Sequence, residues 1–389
     1  MRPYYRKKPI GSVGALCSAL RVSEPALRHL VDNIDKHYTP YQIQKEDGKP
    51  RALLIPSLHL KTIQKRINRE IFAHIEYPSY LFGGIEKRDY LKNAKAHAPA
   101  DALIALDVKN FYPSIRFDDV VGVFQYLMKF PRGVSELLAR LATHNGRIPQ
   151  GACTSSHIAN LILHDVEYHL VQYFSDCGYK YTRLLDDICI SSPRIFSPKR
   201  VSMVIEKVAA MLHRKGLKLK NSKTRVTVRS NPKTLMEVTG LWINRGSPRL
   251  AVRQRRAIRA EVFQCTRIPV DQRTEREYHV AYASASGKVA NLQYLGYSDA
   301  RRLRIALRPV QPIFSGSEIA KTRKIVDMLS RASIRDRGKY AYSLSYHKTW
   351  HRVNIVARTN RPLAETLRLK LSKCRPTRSR DVMLYDELI

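Results

Sequence analysis

The stretch "YTRLLDDICIS", Tyr181 to Ser191, sets two adjacent acids inside a run that otherwise reads as buried strand. Charged side chains are seldom buried without a partner or a metal. Strand-like residues lie on both sides of Asp186 and Asp187, so helix capping cannot account for them. A second pair, Asp118-Asp119 in "SIRFDDVVGVF", shows the contrast. It sits just before an apolar helical run, where N-capping and the helix dipole explain it. A third acid, Asp107, ends the apolar run Ala102 to Leu106 in "DALIALDVKNFYPSI". Two neighbouring strands can hold all three carboxylates at one sheet edge. Hard oxygen ligands on a rigid sheet suit Mg²⁺, which keeps few protein ligands and completes its shell with water and phosphate. Two such ions, roughly 3.5–4 Å apart, can activate a 3′-hydroxyl and stabilise a leaving pyrophosphate in an in-line displacement.

The charge of the chain points to the same class of substrate. Sixty-nine Lys and Arg against 33 Asp and Glu give 389 residues a formal net charge of +36, and the pI is near 10.2. Self-repulsion on that scale opposes a compact state, so a polyanionic partner is expected. A membrane surface is the rival polyanion. No apolar span of about 20 residues is present, no signal-peptide pattern opens the chain, and the basic residues are spread along its whole length. Nucleic acid is therefore the expected partner. The six cysteines are scattered without C-x-x-C or zinc spacing, and read as free thiols of a cytoplasmic protein.

Along the chain, Asp47-Gly48 is a hairpin signal between two strand-like runs. "LHLKTIQKRINREIFAHI" has a helical apolar period at Leu60, Ile63, Ile67 and Ile71. Residues 157–174 read as one helix, and Tyr179 to Ile190 as a strand pair with the acids at its bend. "VSMVIEKVAAMLHRKG" reads as a helix stopped by Gly216, "LKLKNSKTRVTV" as a strand, and "VTGLWIN" as a short strand. After Pro248 the chain turns helical and very basic. The last eighty or so residues mix helical and strand-like pieces, and no repeat of solenoid period is visible. The fold class is α+β, a small sheet backed by helices.

Taken together and in order, "ALDVKNFYPSI", "IPQGACTSSHIANLIL", "YTRLLDDICIS", "LKLKNSKTR" and "VTGLWIN" resemble the palm motifs of reverse transcriptases. "NAKAH" and "VTG" resemble two signatures of the bacterial retron type. The resemblance implies a right-hand polymerase: N-terminal helices and fingers over 1–100, palm over 101–245, and a basic helical thumb over 246–311. A C-terminal extension of unknown role covers 312–389. It also implies roles residue by residue. Asp107, Asp186 and Asp187 are the catalytic carboxylates and hold two Mg²⁺ ions, assisted by the backbone carbonyl of Val108, with Mn²⁺ as a possible substitute. Tyr112 is the steric gate that favours dNTPs. Gln150 and Gly151 contact the nascent base pair. Lys45, Lys49 and Arg51 clamp the triphosphate, a task suited to the planar Arg fork, and Lys223 stands near the leaving pyrophosphate. Trp242 belongs to the primer grip. Asn93 and His97 help position the template RNA or the priming nucleotide, while Arg253, Arg256 and Arg259, with Lys288 further on, track a phosphate backbone.

The expected activity is thus RNA-directed DNA synthesis. A structured noncoding RNA serves as template and primer, a branched RNA–DNA hybrid is the product, and the setting is anti-phage defence beside an effector protein. Two alternatives stand: a defence-associated reverse transcriptase primed in another way, and a catalytically silent RNA-binding scaffold. The second is motivated by Leu184-Leu185, where the family has an aromatic and a small residue before the two acids. Cys153 and Ser156 likewise replace family prolines after the "PQG" loop.

Overall fold

The structure, a computed structural model, describes residues 1–44, 48, 50–231, 233–379 and 382–383, without the Arg51 side chain. It divides into two compact units, Met1–Arg249 and Leu250–Ile389.

In the first unit, β1 (Tyr38–Gln44) and β2 (Pro50–Pro56) pair as an antiparallel hairpin. Lys45, Asp47 and Lys49, which fall between the two strands in sequence, lie outside the described residues. Next comes α1 (Leu58–Glu70), capped by Ser57, whose side chain accepts from the Leu60 N–H. It buries Leu60, Ile63 and Ile67, the face its period predicts. Helix α2 (Tyr90–His97) starts at Asp89, which accepts from the Lys92 N–H. Strand β3 (Ala102–Asp107) follows. Helices α3 (Ser155–Leu161) and α4 (Glu167–Asp176) occupy the region read as one helix; the chain breaks between them. Then come β4 (Lys180–Leu184), β5 (Asp187–Ser192), α5 (Pro198–His213) and β6 (Arg225–Val228). The strand expected from Leu217 begins only at Arg225, after a 3-10 turn at Asn221–Lys223. The pair β7 (Glu237–Val238) and β8 (Leu241–Trp242) closes the unit.

Four strands form one antiparallel sheet in the order β4-β5-β3-β6. Its central strands read as continuous apolar runs, because both faces are covered; Ile104, Ile188 and Ile190 are fully buried. Antiparallel pairing brings the last residue of β3 against the first of β5, so Asp107 stands directly opposite Asp187. A one-residue slip would turn every apolar side chain to the wrong face, which pins this register.

The second unit is helical throughout its described residues: α6 (Val252–Arg267), α7 (Arg276–Tyr294), α8 (Ala300–Leu307), α9 (Gly316–Ser330), α10 (Tyr340–Val356) and α11 (Arg361–Lys373), with short single-turn pieces between them. The strand-like pieces expected near the C-terminus are absent from those residues. Their β-branched residues face helix interfaces instead, as Val326, Val353 and Val356 show. No helix among the described residues is long and apolar enough to cross a membrane.

Candidate active site

The acids of "LLDDI" sit on a two-residue turn. Leu184 pairs with Asp187, and Leu185 and Asp186 form the bend between β4 and β5. Leu185 adopts φ 58°, a left-handed conformation uncommon for a bulky side chain. Gly83 makes room for it: a Cβ there would fall 2.4 Å from Leu185 Cγ. The departure at Leu185 is thus matched by a glycine opposite it. Leu184 instead lines the cleft beside Asp107 and Asp187.

The turn is anchored from behind by Arg183, which sequence reading passed over. Its guanidinium is fully buried. Nε and Nη2 donate to Glu167 Oε1 and Oε2 at 2.5 and 2.8 Å. Nη1 reaches the Ala159 and Leu185 carbonyls at 3.1 and 3.2 Å, and Nη2 the Asn160 carbonyl at 2.9 Å. Tyr181 Oη donates to Glu167 Oε1 at 2.8 Å. Burial alone would lower the Arg183 pKa, but Glu167 overcomes this and holds it above its ordinary value. One cation therefore ties the hairpin that bears Asp186 and Asp187 to α3 and α4. Its signal in the sequence is a charged pair on two buried-type segments, Glu167 and Arg183.

At the acids themselves, the Val108 N–H donates to the Asp186 carbonyl at 3.0 Å, and the Lys220 N–H to the Asp107 carbonyl at 2.8 Å. Lys223 Nζ donates to Asp107 Oδ2 at 2.6 Å, and Asp107 raises the Lys223 pKa. Burial, then the charges of Asp186 and Asp107, push the Asp187 carboxyl up to about 6. Like charges at close quarters repel, and Asp107 is held by the Lys223 ammonium. As placed, no three His, Cys, Asp or Glu side chains among the described residues converge on one point that could hold an ion. The donor set nonetheless fits a hard divalent cation: carboxylate oxygens only, with negative charge that neighbouring groups leave partly uncompensated. These groups open onto a cleft of about 430 Å³, whose walls include Tyr90, Leu184, Arg225, Glu237 and Thr239.

The loop carrying Gln150 and Gly151 is pinned to the β1–β2 hairpin, with the Leu54 N–H donating to the Gln150 carbonyl at 2.7 Å. Gly151 has φ 119°, and a Cβ there would lie 2.7 Å from the Leu54 carbonyl oxygen. Both facts require glycine. Helix α1 holds the same loop from the other side. Gln64 Oε1 accepts from the Cys153 N–H at 3.1 Å, and Asn68 Nδ2 donates to the Cys153 carbonyl at 2.8 Å. Tyr112 is half-buried in the short helix Phe111–Ser114 that follows Asp107. Lys45 and Lys49, and the Arg51 side chain, lie outside what is described.

Helix α2 packs against β4 and against the β7–β8 hairpin, so "NAKAH" and "VTG" meet. Thr239 and Gly240 carry φ 48° and 81° at the hairpin turn, as a type I′ turn requires. Thr239 Oγ1 donates to the Tyr90 carbonyl at 3.2 Å. The expectation that Asn93 and His97 touch RNA is corrected here: both side chains are fully buried. His97 Nδ1 and Nε2 lie 2.7 Å from Ser191 Oγ and Thr182 Oγ1, bracing α2 on the sheet. Burial holds this ring's pKa down at about 3, so it is neutral. Asn93 Nδ2 and Oδ1 have no hydrogen-bond partner. Their spacing does share one helix face, but that face points inward.

Trp242 is half-buried, and its backbone pairs with Arg249 at 2.7 and 2.8 Å. In the second unit Arg253 and Arg256 are exposed on α6. Arg259 is ion-paired with Asp299 at 2.6 Å, and Lys288 with Glu261 at 2.5 Å.

Comparison with known proteins agrees with this geometry. Residues 43–298 match the family described as reverse transcriptase (RNA-dependent DNA polymerase). The Retron Se72 reverse transcriptase of Salmonella heidelberg (strain 579083-10) is 35% identical over 97% of this chain and 100% of its own length. The Retron Ec48 reverse transcriptase of Escherichia coli is 28% identical over 96% and 95% respectively. The Retron Ec86 reverse transcriptase of Escherichia coli is 28% identical over 64% of this chain and 76% of its own. An acidic sheet edge in the predicted register, carried within a match of this extent, identifies the chain as a member of the reverse transcriptase family, of retron type, and an RNA-directed DNA polymerase.

Proposed function

We propose that this polymerase binds one structured noncoding RNA, extends a primer supplied by that RNA, and copies part of it into single-stranded DNA. The product is a branched RNA–DNA hybrid that works in anti-phage defence beside an effector protein in the cytoplasm. The observation that carries the catalytic part is the register that sets Asp107 opposite Asp187, with Asp186 on the adjoining turn. The retron part rests on the relatives, and nucleic acid as partner on the +36 charge.

In this reading Asp107, Asp186 and Asp187, with the Val108 carbonyl, hold two Mg²⁺ ions, for which Mn²⁺ can substitute. Bound there, the metal supplies activation of the attacking 3′-hydroxyl and neutralisation of charge at the transferred phosphoryl group. Lys223, whose pKa Asp107 raises, would offer a cation to the leaving pyrophosphate. Tyr112 excludes a 2′-hydroxyl, Gln150 and Gly151 shape the nascent pair, and Lys45, Lys49 and Arg51 clamp the dNTP. Trp242 grips the primer strand, and Arg253, Arg256, Arg259 and Lys288 follow the backbone of the template–primer. Asn93 and His97 support the hairpin that carries "VTG" and make no direct contact. Fingers, palm and thumb run over 1–100, 101–245 and 246–311.

The chain purified from its host with bound nucleic acid, then treated with RNase or DNase and sequenced, is expected to yield linked RNA and DNA. It should also incorporate dNTPs only with Mg²⁺ or Mn²⁺. Asp186→Asn should abolish incorporation and leave RNA binding intact. Equal behaviour of variant and parent, including in phage protection, would overturn the enzymatic reading in favour of the scaffold.

A further inference from the structure

The second unit contains the same three-helix body twice, offset by 64 residues throughout. Its first body, α6, α7 and α8, buries twelve apolar residues in one core. Eleven of these have a buried counterpart 64 positions later, among them Val262 and Val326, Val289 and Val353, Leu303 and Leu367, and Leu307 and Leu371. The exception is Tyr297, replaced by the exposed Arg361.

The internal locks repeat as well. Tyr278 Oη donates to the Cys265 and Val310 carbonyls at 3.3 and 2.5 Å, and Tyr342 Oη to the Leu329 and Cys374 carbonyls at 3.2 and 2.6 Å. Arg273 donates from Nε to the Ile268 carbonyl at 3.4 Å and from Nη1 to that of Pro309 at 2.9 Å. Arg337 does the same with Ala332 and Lys373, each at 3.1 Å. Four locks and eleven core positions in a single register mean a duplication. Only eleven of sixty-one aligned residues are identical, and most of those are core residues or arginines. That is why the repeat does not stand out in the sequence.

Two of the retained arginines are exposed on or at the end of the first helix of each body: Arg259 and Arg323 within it, Arg267 at its last residue and Arg331 just past it. Arg267 lies over the Phe263 ring, 4.9 Å from its centroid, but the counterpart of Phe263 is Asp327, so no shared packing contact explains the retention. In the first body Arg259 is neutralised by Asp299. The equivalent of Asp299 is Leu363, and among the described residues Arg323 and its exposed neighbour Lys324 make no ion pair or hydrogen bond. Residues 312–379 carry sixteen Lys and Arg against four Asp and Glu.

We propose that the second body is a second nucleic-acid grip: α9 tracks a phosphate backbone with Arg323, Lys324 and Arg331 as α6 does with its own arginines. This rests on the backbone-tracking role of α6 proposed above. Two tethered grips raise the effective concentration of each other's contacts, so a long structured RNA is held more tightly than by either alone. Both bodies recognise the polyphosphate backbone and not base identity, since arginine and lysine at a helix surface meet phosphates without reading bases.

The test uses the full chain and a fluorescein-labelled RNA duplex of two helical turns, titrated across a range of salt. Arg323→Glu/Lys324→Glu should weaken binding roughly tenfold or more at low salt and lower the log–log salt slope by about 1.4–1.8, the value for two lost phosphate contacts. Arg323→Gln/Lys324→Gln should give a smaller loss in the same direction, with an unchanged circular dichroism spectrum. Arg253→Glu/Arg256→Glu is measured alongside. If it weakens binding while the Arg323/Lys324 variants do not, the second grip is refuted and the first stands. If neither pair changes binding, the backbone-tracking role of α6 fails together with the second grip. A loss of binding to phosphatidylserine vesicles with unchanged RNA affinity would also overturn the proposal.

Discussion

Replacing Glu167 by Gln keeps the shape of a fully buried side chain and removes its charge, leaving the Arg183 guanidinium unpaired in the interior. Two charge-assisted bonds, at 2.5 and 2.8 Å, lose their ionic character, and the Tyr181 hydroxyl loses a carboxylate acceptor. Breaking a buried pair from one side costs about 3–5 kcal/mol, because the remaining charge is uncompensated. A domain of ordinary stability has about 5–15 kcal/mol in all. Urea unfolding followed by fluorescence, in a Trp350→Phe background where Trp242 alone reports on the first unit, should show that loss. Glu167→Leu/Arg183→Leu should cost far less than the sum of its single variants, since a buried pair replaced together by apolar groups is often tolerated. Activity should fall further than the folded fraction, because the Arg183 bond to the Leu185 carbonyl at 3.2 Å positions the turn bearing Asp186. A loss of under about 1 kcal/mol for Glu167→Gln, with full dNTP incorporation, would refute the anchoring role.

Gly83→Ala should clash with Leu185, whose Cγ lies 2.4 Å from the added Cβ, and reduce incorporation. Leu185→Ala in the same chain should recover much of the loss, though not the part due to the Leu185 backbone nitrogen at 2.9 Å. If the double variant is no better than Gly83→Ala, the side-chain pairing is wrong. His97 has a pKa near 3 when folded and an ordinary value of 6.5 when unfolded. A depressed folded pKa means stability present above pH 6.5 and lost progressively on acidification toward 3, at about 1.4 kcal/mol per pH unit. His157, held near 4 by burial, adds to this slope. His97→Gln should be less stable at neutral pH and show a flatter acid dependence between pH 6 and 4; an unchanged slope would count against a buried neutral ring.

The parts legible in the sequence were those written in short-range pattern. Apolar runs interrupted by acids announced β3, β4 and β5, and the turn between the last two, because strand burial and chain reversal are decided within a few residues. The ordered motifs then identified the family, and with it the α+β polymerase fold that the match over residues 43–298 supports. Spacing was a weaker guide wherever it fitted two environments. Asn93 and His97, four apart, share a helix face whether that face meets solvent or sheet, and only packing shows it turned inward. Leu184-Leu185 motivated the alternative of a silent scaffold, yet Gly83, a hundred residues earlier, accommodates the larger side chain of Leu185 at the bend.

By itself, then, the amino-acid order determined the three acids, their strands, the polymerase family and the polyanionic partner its charge calls for. Tertiary structure alone decided which charges are buried and which are shared between distant segments. Arg183 and Glu167 form one pair across 16 residues, Lys223 and Asp107 across 116. It also decided that the second unit is one body built twice. A three-helix core constrains a position to be apolar and of fitting size but not to be one residue type. Two copies can therefore keep their architecture while most of their letters diverge.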